Sequence, residues 1–215
     1  MLISGITNCG KTHFVLDLLQ EEFKNKFDHI IIICPTFEYN KTYNRKFISN
    51  DLDIIPIIIN EKLNEVLEKI INVYKDHKEQ TLVIIDDCAN LNDAKIKATA
   101  LTKLAFHGRH YNISTWVLAQ KYNSIIKDFR QNISMLILFY DKDKESRESS
   151  FKENDIYPTD KLTLKKMSHA GYPIALKIYQ WLVARDVLFR YIKPWQETAQ
   201  ENILHTTFLN FGAKT

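Results

Sequence analysis

Residues 5–12 read Gly5-Ile6-Thr7-Asn8-Cys9-Gly10-Lys11-Thr12, an unbroken G-x-x-x-x-G-K-[ST] run, and few folds accommodate it. Glycines let the backbone turn tightly enough to aim successive N–H groups at an anion. A helix beginning where the loop ends adds its positive dipole end. Lys11 is the residue expected to reach β- and γ-phosphates, and the Thr12 hydroxyl to ligate a bridging magnesium ion. The nucleotide-binding candidates are therefore Gly5, Ile6, Thr7, Asn8, Cys9, Gly10, Lys11 and Thr12, with His13 next to them. The flanks agree. Met1-Leu2-Ile3-Ser4 is a short apolar strand, and Phe14, Val15, Leu18, Leu19 and Phe23 mark one face of an amphipathic helix. Strand, loop and helix in that order argue against an ordinary glycine-containing turn.

A chain of 215 residues suffices for one well-buried domain. Its net charge of +3 is compatible with a nucleic-acid partner without requiring one. Cys9, Cys34 and Cys88 lie in or at the end of apolar stretches and have no C-x-x-C spacing, so they read as free thiols rather than a zinc site. His107 and His110 read as turn or surface residues, because no cysteine or carboxylate pair accompanies them. The apolar start is broken by Asn8, Lys11 and His13, unlike a signal peptide. The runs Ile30–Cys34 and Ile54–Ile59 are too short to cross a bilayer. A soluble protein of a reducing compartment is expected, with no membrane segment of its own and no secretion.

Further along, His29–Cys34 reads as a strand buried on both faces, and Ile54–Ile59 as one held at an edge by Pro56. Thr36–Asp53 between them reads as a loop or short helical insertion. Leu63, Val66, Leu67, Ile70, Ile71 and Tyr74 follow helical spacing. Strands are expected at Thr81–Asp87, Ile113–Gln120 and Met135–Tyr140, with helices over 91–106 and around Ser124–Arg130. This alternation predicts a parallel sheet covered on both sides. Asp141–Asp155 reads as a solvated helix or loop. Ala175–Val183 and Val187–Lys193 suggest an antiparallel hairpin at the sheet edge. The expected division is a P-loop domain over 1–193, with its core at 1–140 and an extension at 141–193, and a tail over 194–215.

Leu82-Val83-Ile84-Ile85 ends in Asp86-Asp87. Acids at the C-terminal end of a parallel strand point into the crevice where such sheets bind ligands. Asp86 is the candidate magnesium ligand. Asp87 is the candidate to orient or deprotonate an attacking water, and it is also placed to cap a helix near Ala89. Gln120, at the end of the next strand, is positioned to hydrogen-bond that water or the γ-phosphate. Arg109 sits at the opposite end of the same strand, and seven extended residues span roughly 23 Å. At that distance it reaches a phosphate only in a neighbouring subunit, which implies a ring; the alternative is a surface arginine.

A phosphate loop, a strand ending Asp86-Asp87, and an arginine eleven residues before a strand-terminal glutamine in Arg109-His110-Tyr111-Asn112-Ile113-Ser114 resemble the FtsK–HerA superfamily. Within it the chain is most similar to the poxvirus-type genome-packaging ATPases. The resemblance is specific over residues 1–140 and looser to Lys193. It implies an α/β, RecA-like P-loop NTPase of the ASCE type with a mainly parallel sheet of order 5-1-4-3-2, in which the Gln120 strand lies between the phosphate-loop strand and the Asp86 strand. It implies ATP and Mg2+ as cofactors, Lys11, Asp87, Gln120 and Arg109 as catalytic residues, and Thr12 and Asp86 as metal ligands. The implied partners are double-stranded DNA, capsid or portal-vertex proteins, and further copies in a hexameric or pentameric ring. Two features depart from the pattern: almost nothing precedes the first strand, and Asp87 stands where glutamate is usual.

The expected function is an ATP-hydrolysing motor that packages viral DNA in the host cytoplasm, virus factory or virion. A translocase for conjugation, segregation or recombination is the nearest alternative. A nucleotide-dependent switch with negligible hydrolysis is the third reading, and one that needs none of Asp87, Gln120 and Arg109. Lys121, Lys127 and Arg130 read either as DNA-phosphate contacts or as a solvated helix face.

Overall fold

The computed structural model describes residues 1–44, 54–57, 63–88, 97–139, 141–154 and 174–178. Its strands are β1 (Leu2–Ser4), β2 (His29–Ile33), β3 (Ile54–Ile57), β4 (Thr81–Asp86), β5 (Ile113–Ala119), β6 (Met135–Leu138) and β7 (Ile174–Ile178). Its α-helices are α1 (Lys11–Glu21), α2 (Leu63–Tyr74), α3 (Lys97–His107), α4 (Lys127–Asn132) and α5 (Lys144–Glu153). Short 3-10 turns cover Lys41–Tyr43, Gly108–Tyr111 and Tyr122–Ser124.

The strands form one sheet in the order β3-β2-β4-β5-β1-β6-β7. All pairings from β3 to β6 are parallel, and β7 runs antiparallel to β6. The five core strands have the expected order, with β5 between β1 and β4. Two strands extend that order: β3 lies beyond β2, where Pro56 pairs opposite Ile32 on an edge that tolerates a missing donor, and β7 lies beyond β6. Only β7 of the expected C-terminal hairpin falls among the described residues; the arm over Val187–Lys193 lies outside them.

The continuous apolar strands are explained by their two covered faces. Ile31, Ile33, Val83 and Ile85 face a core completed by α2, α3 and Phe129 of α4. Their neighbours Ile30, Ile32, Leu82 and Ile84 face the other core, built on Phe14, Val15, Leu18 and Leu19 of α1. In α2 the buried residues are Leu63, Val66, Leu67, Ile70 and Ile71, the face that helical spacing predicts. The charged stretch after β6 contains helix α5, which is not fully solvated: Ser146, Ser150 and Phe151 are buried.

Register positions the site. Ile3 pairs with Leu118, and Leu118 with Asp86, so these residues lie level across the sheet. One or two residues further on, the three strands release Gly5, Gln120 and Asp87 at the same edge. Bonds from Gly5 N to Ala119 O (3.1 Å) and from Phe139 N to Ser4 O (2.7 Å) hold the loop entrance between β5 and β6.

Candidate nucleotide site

The phosphate loop turns through two left-handed residues, Asn8 (φ 62°) and Gly10 (φ 96°). Glycine suits the second because no Cβ opposes that conformation. Gly5 is required for closeness instead: a Cβ there would lie 2.5 Å from Phe139 Cβ and 2.9 Å from Cys9 Sγ. Helix α1 begins directly after Gly10 with no side-chain cap and no acid in its first turn. Its first N–H groups are left for an anion.

Lys11 is buried, and its ammonium donates to the carbonyls of Gly5 (2.7 Å) and Ile6 (2.9 Å), with Cys9 Sγ at 3.8 Å. The lysine thus closes the loop on itself. Burial raises the Cys9 thiol above its ordinary pKa, against the pull of the Lys11 charge.

Across the sheet edge, Thr12 Oγ1 donates to Asp86 Oδ2 at 2.9 Å, a contact between residues 74 apart in sequence. The hydroxyl of Tyr43 donates to the same oxygen at 2.6 Å. Burial pushes the Asp86 carboxyl up and Asp87 adds to the rise, while the bonds from Tyr43 and Thr12 and the charge of Lys11 oppose it. Burial and the Asp86 charge push the Tyr43 hydroxyl upward as well, so it remains a donor. Asp87 adopts a left-handed conformation (φ 52°) and accepts a 2.8 Å bond from Gln120 Nε2. The segment near Ala89, whose helix Asp87 is also placed to cap, lies outside the described residues.

A cleft of about 340 Å³ joins these groups, lined by Thr7, Asn8, Gly10, Lys11, Thr12 and His13 on one side and by Asp86, Asp87 and Gln120 on the other. Gly5, Ile6 and Cys9 are not part of this lining; they are the residues that Lys11 Nζ contacts within the loop. Asn40 and Thr42 complete the wall. They and Tyr43 come from the insertion after β2, and the sequence marks none of the three as a site residue.

Arg109 is not brought to this cleft. It is exposed on the turn before β5, beside a second hollow lined by Phe23, Trp116 and Met135. The basic residues after Gln120 divide. Lys121 is exposed and pairs with Asp143 at 3.0 Å, and Lys127 is exposed. Arg130 is neither a DNA-facing cation nor part of a solvated face. It is only 9% exposed, pairs with Glu153 at 3.0 Å, donates to Asn123 Oδ1 at 2.7 Å and stacks over the Tyr122 ring at 4.6 Å. Among the described residues, no helix is long and apolar enough to cross a membrane.

A sheet in which β5 separates the phosphate-loop strand from the acidic strand, with this cleft at its C-terminal edge, defines a RecA-like P-loop NTPase. The chain belongs to the poxvirus A32 protein family, whose model matches residues 1–189. It is 30% identical over 148 residues to the DNA packaging protein OPG160 of variola virus, covering 65% of this chain and 52% of that protein. The same identity and coverage hold for OPG160 of vaccinia virus (strain Copenhagen). The chain spans about half the length of the curated relatives it matches. Among solved structures, its fold is similar to the genome packaging NTPase B204 from Sulfolobus turreted icosahedral virus 2 in complex with ATP-gammaS. The TM-score is 0.57 at 16% identity, over 83% of this chain and 96% of that one. It is also similar to the cytoplasmic domain of the Thermomonospora curvata type VII secretion ATPase EccC, with a TM-score of 0.54 at 12% identity over 67% of this chain and 21% of that one.

Proposed function

We propose that this chain is the ATPase of a motor that translocates double-stranded DNA and packages a viral genome into a capsid. The observation that carries the reading is the pairing of two contacts at one sheet edge, Thr12 with Asp86 (2.9 Å) and Gln120 with Asp87 (2.8 Å), in a member of the poxvirus A32 family.

The triphosphate of ATP takes the uncapped start of α1. Lys11 exchanges the carbonyls of Gly5 and Ile6 for β- and γ-phosphate oxygens. Thr12 Oγ1 and the Asp86 carboxylate are hard oxygen donors at one point, a set that fits magnesium. Bound there, the ion would neutralise charge on the phosphates. Asp87 accepts a proton from the water that attacks the γ-phosphorus, the bond to the β-phosphate oxygen breaks, and ADP leaves with its electron pair. Gln120 holds Asp87 and aims the water. Arg109, remote from its own cleft, serves the cleft of a neighbouring copy in a ring of five or six.

DNA contacts in such a motor are to backbone phosphates and weaken with salt. Lys121 and Lys127 remain the candidate contacts after Gln120. Capsid or portal-vertex proteins are the proposed docking partners, and the host cytoplasm, virus factory or virion the place of action.

Steady-state ATP turnover with and without double-stranded DNA tests the proposal. DNA-stimulated hydrolysis that Lys11→Ala abolishes is the expected result. Tight nucleotide binding without turnover would instead make the protein a switch.

A further inference from the structure

The acid assigned above to the metal is held by a residue outside both nucleotide motifs. Tyr43 is 5% exposed and reaches Asp86 from 43 positions earlier in the chain. Its segment is folded to deliver it. Asn40 N bonds to Thr36 O (2.9 Å), Asn40 Oδ1 accepts from Thr42 N (3.0 Å), and Tyr43 N bonds to Asn40 O (3.0 Å). The Tyr43 ring stacks on Phe37 with centroids 4.6 Å apart and planes 26° from parallel. Stacking fixes the ring and the ring fixes the hydroxyl.

We infer that Tyr43 is a positioning residue for the metal-binding carboxylate of Asp86, coupling the insertion after β2 to the strength of metal binding. This rests on the magnesium–nucleotide reading of the cleft. Thr12 and Tyr43 both donate to Asp86 Oδ2, from helix α1 and from the insertion. Two donors from separate elements restrain rotation of the carboxylate, which then presents its remaining lone pairs in one orientation. Partners of this kind, one bond removed from a metal, tune affinity without touching the ion. The same segment lends Asn40 and Thr42 to the cleft wall, so one segment supplies both part of the wall and the hydroxyl on the carboxylate.

The test compares the full chain with Tyr43→Phe, which removes one oxygen and keeps the stacking ring. Mn2+ binding in the presence of ADP is read by electron paramagnetic resonance, and ADP binding in EDTA by calorimetry. Tyr43→Phe is expected to weaken Mn2+ binding by about tenfold while ADP affinity without metal stays unchanged. Excess magnesium should return kcat to the level of the unaltered protein, a rescue that general loosening of the fold would not give. Phe37→Leu, which keeps the hydroxyl and loosens its support, should shift Mn2+ affinity in the same direction by less, and it serves if the first variant does not fold. Mn2+ affinity within about twofold of the unaltered protein in the folded variants would overturn the role, whatever happens to the melting temperature. If the unaltered protein bound neither ADP nor Mn2+, the nucleotide reading itself would fail, a result distinct from failure of the tyrosine's role.

Discussion

The side-chain amide of Gln120 donates a 2.8 Å hydrogen bond to the carboxylate of Asp87, joining the ends of two adjacent parallel strands, β5 and β4, at the mouth of the cleft. The bond connects the group proposed to aim water with the group proposed to take its proton. In Gln120→Ala, nucleotide affinity is expected to hold while single-turnover hydrolysis slows by about a hundredfold, the scale for loss of one aligned donor. Equal losses in binding and turnover would assign Gln120 to nucleotide binding alone.

Gly5 is a packing requirement. Its missing Cβ is the space that Phe139 Cβ and Cys9 Sγ occupy, and Phe139 also meets Phe14 of α1 edge-on at 5.8 Å. Gly5→Ala should therefore cost about 1–3 kcal/mol by thermal or urea denaturation, because the chain at Phe139 and the Cys9 side chain must both shift. A melting curve identical to that of the unaltered protein would show that the loop entrance has room to relax.

The same kind of argument separates two cations that look alike in sequence. Arg130 is buried against Glu153, Asn123 and Tyr122, tying α4 and the turn after Gln120 to α5. Arg130→Met should destabilise the fold by about 2–4 kcal/mol, since it removes the cation beside the partly buried Glu153 carboxylate and leaves it the 2.8 Å bond from the Tyr122 hydroxyl. Lys121→Ala breaks only an exposed pair with Asp143 and should leave the melting temperature unchanged. Equal melting temperatures for the two variants would contradict the assignment of Arg130 as a structural anchor.

The parts of the site legible in the sequence are those whose chemistry is local. The phosphate loop is contiguous because consecutive N–H groups must converge on one anion, and Asp86-Asp87 stand out because acids end an apolar run. Pro56 marks an edge because it has no N–H to give a second neighbour. The sheet order is legible only through family resemblance, since periodicity alone does not say which strands pair. Tyr43 is invisible for a different reason. It lies in an aperiodic polar and aromatic segment, and its partner is set by how two distant segments fold together. Arg130 misleads because three cations at short spacing look like a face until Glu153, more than twenty residues on, is folded over one of them.

Arg109 lies on the turn before β5, at the end opposite the cleft. A role in a neighbouring copy predicts that Arg109→Ala binds ATP normally yet hydrolyses it on the order of a thousandfold more slowly. Mixing it with Lys11→Ala should restore part of the activity, because one copy supplies the arginine and the other an intact cleft. No recovery in mixed assemblies would make Arg109 structural or active only within its own copy.

The most direct measurement is a crystal structure with a non-hydrolysable ATP analogue and magnesium. The account predicts a triphosphate against the start of α1, Lys11 Nζ moved off the carbonyls of Gly5 and Ile6 onto phosphate oxygens, and an ion held between Thr12 and Asp86. An analogue bound elsewhere, with Lys11 still closing its own loop, would contradict it.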